Sequence, residues 1–127
     1  MNVVVAASAS VGYVCGASST YNASGGSATT IFKTTDGGAT WFRLPGLRYP
    51  TQIAKNCYAL LAPDASTVWA AMADGYLVKS ADGGVTWALV STPFSGSNQP
   101  SLRSICSPDG GLNIWALGTY NCEMGVA

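Results

Sequence analysis

The chain has 127 residues, a length that suits one ordinary domain. Six basic and six acidic residues cancel, and charged residues make up 9% of the sequence, well below the usual quarter. That balance excludes the basic footprint of a nucleic-acid binder, and no apolar run reaches the ~18 residues of a membrane-spanning helix.

The chain opens on MNVVVAASAS, which carries neither a positive n-region nor a long apolar core and so is not read as a signal peptide. Short runs rich in Val, Ile, Trp, Tyr and Thr alternate with Gly, Asp, Pro and Ser turns, and no 3.6-residue apolar period competes with them. The pattern predicts an all-β chain. A first group of strands is expected near Val3–Ala7, Gly12–Ala17, Thr29–Thr34 and Thr40–Leu44, with Ser18–Ala28 as an insertion. A second group is expected near Tyr58–Leu61, Thr67–Met72, Tyr76–Ser80 and Thr86–Val90. A third begins with Leu102–Cys106 and Asn113–Gly118, and residues 45–56 and 91–101 connect the groups.

These groups repeat. Lys33–Trp41 reads KTTDGGATW and Lys79–Trp87 reads KSADGGVTW, with 46 residues separating the two aspartates and the two tryptophans. Ala62-Pro63-Asp64 leads to Val68-Trp69, as Ser107-Pro108-Asp109 leads to Ile114-Trp115. Four strands per unit of about 46 residues is the signature of a propeller blade. The expected architecture is therefore a β-propeller of four-stranded antiparallel blades. Blade 1 spans about 2–44, blade 2 about 56–91, and a third starts at about 102–127. The next box would fall just past Ala127, so a longer propeller is expected. Small residues on each second strand (Gly16, Ala70, Ala71, Ala116, Gly118) suit sheets that converge on an axis, with Trp69 and Trp115 filling the wider gaps between blades.

The residue inventory is poor in chemistry. No histidine is present, so neither a Ser-His-Asp nor a Cys-His arrangement can form. Cys15, Cys57, Cys106 and Cys122 form no CxxC pair, which argues against zinc. The four thiols fit one or two disulfides in any of three connectivities, or buried free thiols. No metal or other cofactor is expected. Asn22-Ala23-Ser24 is a sequon, an N-glycan site if the chain is secreted. Arg43, Arg48 and Tyr49 in FRLPGLRYP are candidate anchors for a protein partner.

The two boxes resemble the Asp-box, or BNR repeat, whose pattern is Ser/Thr-x-Asp-x-Gly-x-Thr-Trp. Thr34, Asp36, Gly38, Thr40 and Trp41 match it, as do Ser80, Asp82, Gly84, Thr86 and Trp87. The resemblance implies a structural hairpin between the third and fourth strands of a blade, with no catalytic role for either aspartate. Gly12-Tyr13-Val14-Cys15-Gly16 and Trp115-Ala116-Leu117-Gly118, taken with the boxes, are similar to the Ycf48-like photosystem II assembly and stability factors. That likeness implies a non-enzymatic scaffold, protein subunits of a larger complex as partners, and the thylakoid lumen or a secreted space as location. The alternative is a piece of a sialidase-like or other Asp-box glycoside hydrolase, for which Glu123 is the only glutamate on offer.

Overall fold

The computed structural model describes residues 3–16, 19–20, 27–28, 31–45, 48–49, 51–52, 56–92 and 100–119. Strands β1 (Val3–Ala6), β2 (Gly12–Cys15), β3 (Ser19–Thr20), β4 (Ser27–Ala28), β5 (Ile31–Thr34) and β6 (Phe42–Arg43) come first. They are followed by β7 (Arg48–Tyr49), β8 (Thr51–Gln52), β9 (Cys57–Leu61), β10 (Val68–Met72), β11 (Leu77–Ser80) and β12 (Ala88–Val90). β13 (Ser101–Cys106) and β14 (Trp115–Thr119) complete the set, and a short 3-10 turn at Ala73–Gly75 joins β10 to β11.

The strands build two four-stranded antiparallel sheets, β1-β2-β5-β6 and β9-β10-β11-β12, and a two-stranded sheet β13-β14. We call these sheets 1, 2 and 3. The expected all-β chain with four-stranded sheets is what the structure shows. Two features depart from the expected layout. The insertion Ser18–Ala28 holds a strand pair of its own, β3 with β4, and the connection after residue 45 holds another, β7 with β8. The strands after each box also start later than expected, at Phe42 and Ala88 rather than Thr40 and Thr86. The reason is local: the Thr40 and Thr86 amides donate to an aspartate of their own turn and are withdrawn from the ladder.

Sheet 2 lies between the other two. One core gathers Tyr13, Cys15, Ile31 and Leu44 from sheet 1 against Cys57, Leu60, Val68, Ala70, Met72 and Val78 from sheet 2. The second gathers Ala59, Trp69, Ala71 and Leu77 from sheet 2 around Leu102 of sheet 3. β10 is buried at all five positions because it faces a neighbouring sheet on both sides. Its side chains are those such a strand needs: Ala70 and Ala71 let the sheets approach, and Trp69 fills the space toward sheet 3. The expectation for Trp115 and Ala116 is not met. Trp115 is 67% exposed and Ala116, on the opposite face of β14, is exposed too.

Sheets 1 and 2 are also joined covalently and by hydrogen bonds. Cys15 on β2 is disulfide-bonded to Cys57 on β9, with a Cα separation of 5.8 Å. The Cys57 amide donates to the Gly16 carbonyl (3.0 Å). Of the pairings left open by the sequence, this one is formed. Cys106 is an exposed free thiol, and Cys122 lies outside the described residues.

Candidate functional site

The two boxes fold into nearly superposable turns. In the first, the Thr34 hydroxyl donates to Asp36 Oδ1 (2.8 Å) and accepts from the Gly38 amide (2.9 Å). The Thr40 amide donates to Asp36 Oδ1 (2.9 Å), the Thr40 hydroxyl donates to Oδ2, and Trp41 Nε1 donates to the Gly38 carbonyl (3.1 Å). In the second, Ser80 Oγ donates to Asp82 Oδ1 (2.7 Å) and accepts from the Gly84 amide (2.8 Å). The Thr86 amide and hydroxyl again close on Asp82, and Trp87 Nε1 donates to the Gly84 carbonyl (3.1 Å). Both turns need two consecutive residues at positive φ, supplied by Gly37-Gly38 (72° and 95°) and Gly83-Gly84 (71° and 93°).

A third turn of this kind joins β13 to β14, at Ser107-Pro108-Asp109, which the sequence repeat aligns with Ala62-Pro63-Asp64 rather than with the boxes. Ser107 Oγ donates to Asp109 Oδ1 (2.9 Å) and accepts from the Gly111 amide (2.8 Å). The Asn113 amide donates to Asp109 Oδ1 (2.8 Å), and the Asn113 side-chain amide takes the place of the threonine hydroxyl at Oδ2. Gly110 and Gly111 hold φ of 71° and 101°. The signal was Ser-x-Asp-Gly-Gly at 107–111, masked by Asn at the threonine position and Ile114 at the tryptophan position.

These contacts fix the chemistry of the carboxylates. The hydroxyl and amide of Thr40, then Thr34, lower Asp36 from 3.8 to about 2. Thr86, then Ser80, do the same for Asp82, also to about 2. Asp64, which accepts from the Ser66 and Thr67 amides (both 2.8 Å), and Asp109 are lowered by the same kind of bond. At neutral pH all four are ionised acceptors filled by their own turns. They have no proton to give as a general acid. No three His, Cys, Asp or Glu side chains among the described residues converge as metal ligands.

The seam between sheets 1 and 2 is polar at one end. Tyr13 is buried, and its hydroxyl donates to the Ala65 carbonyl (2.9 Å). Lys33, paired across the ladder with Tyr13, donates to the Gly83 carbonyl (3.1 Å) and lies 5.4 Å from the Tyr13 ring centroid. Burial, then the Asp64 charge, raises the Tyr13 pKa and keeps its proton on the phenol. The first two turns also dock on their own sheets: the Gly37 amide donates to the Ser10 carbonyl and the Gly83 amide to the Ser66 carbonyl.

Of the candidate partner anchors, only Arg43 has a described side chain. Arg43 is half-buried on β6, while Arg48 and Tyr49 are placed only as backbone, paired with Gln52 and Thr51. The sequence did not point to Arg103, which stacks on the Tyr58 ring 3.8 Å from its centroid. Asn22 and Glu123 lie outside the described residues. Between sheets 2 and 3 an apolar groove of about 380 Å³ opens, lined by Trp69, Leu77, Val90, Thr92, Trp115 and Ala116 among others.

No family model matches the chain, and no curated protein matches it. Among solved structures, the chain is similar to one described as YCF48 bound to D1 peptide, with 16% identity and a TM-score of 0.56. The match covers 90% of this chain and 39% of that one, so the chain spans well under half of that structure's length. At this identity the likeness shows the fold: an all-β arrangement of four-stranded sheets of the β-propeller type.

Proposed function

We propose that the chain is a non-catalytic β-propeller module that binds or braces other proteins, an assembly or stability factor of the kind that serves a photosystem. The observation that carries this reading is the fold likeness to a propeller structure that holds a peptide. The aspartate turns support it, because their carboxylates are committed to hydrogen bonds within the turn. In this reading the turns at Asp36 and Asp82 are Asp-box hairpins, the blades run over about 2–44 and 56–91, and a third starts at about 102. The disulfide favours an oxidising space such as the thylakoid lumen or the cell exterior. Arg43, Arg48 and Tyr49 are the first residues to test as partner contacts.

Two measurements test the reading. The purified chain is titrated with a D1 peptide and, separately, incubated with fluorogenic sialosides and glucosides. Saturable peptide binding that weakens in Arg43→Glu or Arg48→Glu, with no turnover above buffer, is the expected result. Binding that ignores both substitutions removes Arg43 and Arg48 from the contact surface. Hydrolysis that copurifies with the chain overturns the non-catalytic reading and restores the glycoside hydrolase.

A further inference from the structure

Four aspartates in the chain precede a glycine: Asp36-Gly37, Asp74-Gly75, Asp82-Gly83 and Asp109-Gly110. That dipeptide carries a reaction of its own. The glycine nitrogen can attack Cγ of the aspartate carboxyl, because no Cβ bars its approach. The N–Cγ bond forms, the Cγ–OH bond breaks, and the hydroxyl leaves as water with the proton of the amide nitrogen. Water then adds to the resulting succinimide. Opening at Cγ restores aspartate, and opening at the main-chain carbonyl leaves isoaspartate, whose backbone runs through the former side chain. Water is the only other molecule that takes part, and nothing is oxidised or reduced. The step needs a nitrogen free to turn and a carboxyl free to leave its hydrogen bonds.

The four pairs differ in both respects. The Gly37 and Gly83 amides are tied to the Ser10 and Ser66 carbonyls (2.9 and 2.7 Å), and Trp41 and Trp87 close each turn from the far side on the Gly38 and Gly84 carbonyls. Gly75 is buried in the 3-10 turn, which the Met72 amide brackets by donating to the Tyr76 carbonyl (2.9 Å). Gly110 has none of these restraints. Its amide makes no hydrogen bond among the described residues, and nothing stands within 4 Å of the place its Cβ would take. Ile114 occupies the tryptophan position, so no indole closes on the Gly111 carbonyl. Asp109, Gly110 and the closing residue Asn113 are all exposed.

We infer that Asp109-Gly110 is the site at which this chain isomerises its own backbone, forming isoaspartate through a succinimide well before the other three pairs do. The reaction draws on molecules whose turn is open, and opening costs least where the fewest bonds hold the turn. The product matters for sheet 3. Isoaspartate inserts an extra carbon into the β13–β14 connection and displaces the carboxylate to which Ser107 and Asn113 both donate. The hairpin then loses its clamp while the turns at Asp36 and Asp82 keep theirs. The inference stands apart from the proposed function, since the same turn would isomerise in the same way in an enzyme.

Trypsin separates the four pairs, since residues 34–43, 56–79, 80–103 and 104–127 carry one each. The full chain is held folded at neutral pH for weeks, reduced and digested, and electron-transfer fragmentation measures isoaspartate in each peptide. Isoaspartate should build up in 104–127 about tenfold faster than in any other peptide, preceded by a form lighter by one water. In denaturant the four rates should converge, which would assign the order to the turns rather than to neighbouring residues. Asn113→Thr/Ile114→Trp restores the closing residues of the boxes and should slow the reaction at Asp109 severalfold. Trp87→Phe removes the indole bond to Gly84 and should speed it at Asp82. The comparison within the unsubstituted chain decides the matter even if a variant fails to fold. The inference falls if another peptide leads in the folded chain, if no isoaspartate forms in 104–127, if the order survives denaturant, or if neither folded variant shifts its rate.

Discussion

Gly84 and Gly110 both lie at positive φ (93° and 71°), as the second and first glycine of their aspartate turns, but their surroundings differ, and that difference separates strain from packing. A Cβ on Gly110 meets nothing within 4 Å, whereas one on Gly84 runs into Leu44. Gly110→Ala should cost about 1–2 kcal/mol, the left-handed penalty alone. Gly84→Ala should cost about 2–5 kcal/mol, because overpacking adds to the same penalty. Chemical denaturation of the two variants measures the gap, and equal losses would mean that Leu44 yields. The carboxylates make a second residue-scale prediction. Asp36 and Asp82 are lowered from 3.8 to about 2, so the folded state binds fewer protons than the unfolded chain as pH falls. Their contribution is complete above the unfolded value and is lost between about pH 4 and pH 2. Asp64 and Asp109 act in the same direction. The melting temperature should fall across that window, with a shallower fall in Asp82→Asn. A flat profile would show that the turns hold without charge.

Among the elements, β2 and β9 are tied by the most durable link, the Cys15–Cys57 disulfide across sheets 1 and 2. It closes a sequence separation of 42 residues, so its removal in Cys15→Ala/Cys57→Ala should cost about 2–4 kcal/mol. Both sulfurs are buried while Cys106 is exposed. Alkylation without denaturant should therefore modify Cys106 and spare the bridged pair, which mass spectrometry of the peptides reads directly. Modification of Cys15 or Cys57 would refute the bridge. The sequence could announce the strands of sheets 1, 2 and 3 and two of the three aspartate turns, because runs rich in β-branched and aromatic residues, bounded by turn residues, and Asp-Gly-Gly chemistry are local. It could not choose the pairing of the cysteines, since Cys15 meets Cys57 only after two sheets have packed. Nor could it show Lys33 reaching the Gly83 carbonyl 50 residues away. The third turn was legible in principle, but Asn113 replaces a hydroxyl with an amide that makes the same bond, and matching by residue type overlooks that substitution. Trp115 was misjudged for a related reason: its repeat position predicts burial, but burial depends on what lies across from it.

Across the whole molecule, stability should be graded along the stack of sheets, because each sheet rests mainly on its neighbours. Sheet 2 is packed on both faces, and β10 is buried throughout. Sheet 1 is held to it by a core cluster, the disulfide and the Tyr13 and Lys33 bonds to Ala65 and Gly83. Sheet 3 has a weaker hold. Leu102 is fully buried and Ile105 and Ile114 partly so, but Leu112, Trp115 and Leu117 are exposed and β14 pairs on one side alone among the described strands. Cooperative units that bury little apolar surface open at lower free energy than the global transition. Native-state hydrogen exchange should therefore find β10 and β11 amides exchanging only through global unfolding, β2 and β5 close to them, and β13 and β14 opening first. Reduction of the disulfide should lower protection in sheets 1 and 2 and leave β14 unchanged. Equal protection over residues 57–80 and 101–119 would mean instead that sheet 3 shares one cooperative core with sheet 2, and that the packing of β13 against β9, β10 and the 3-10 turn suffices to couple them.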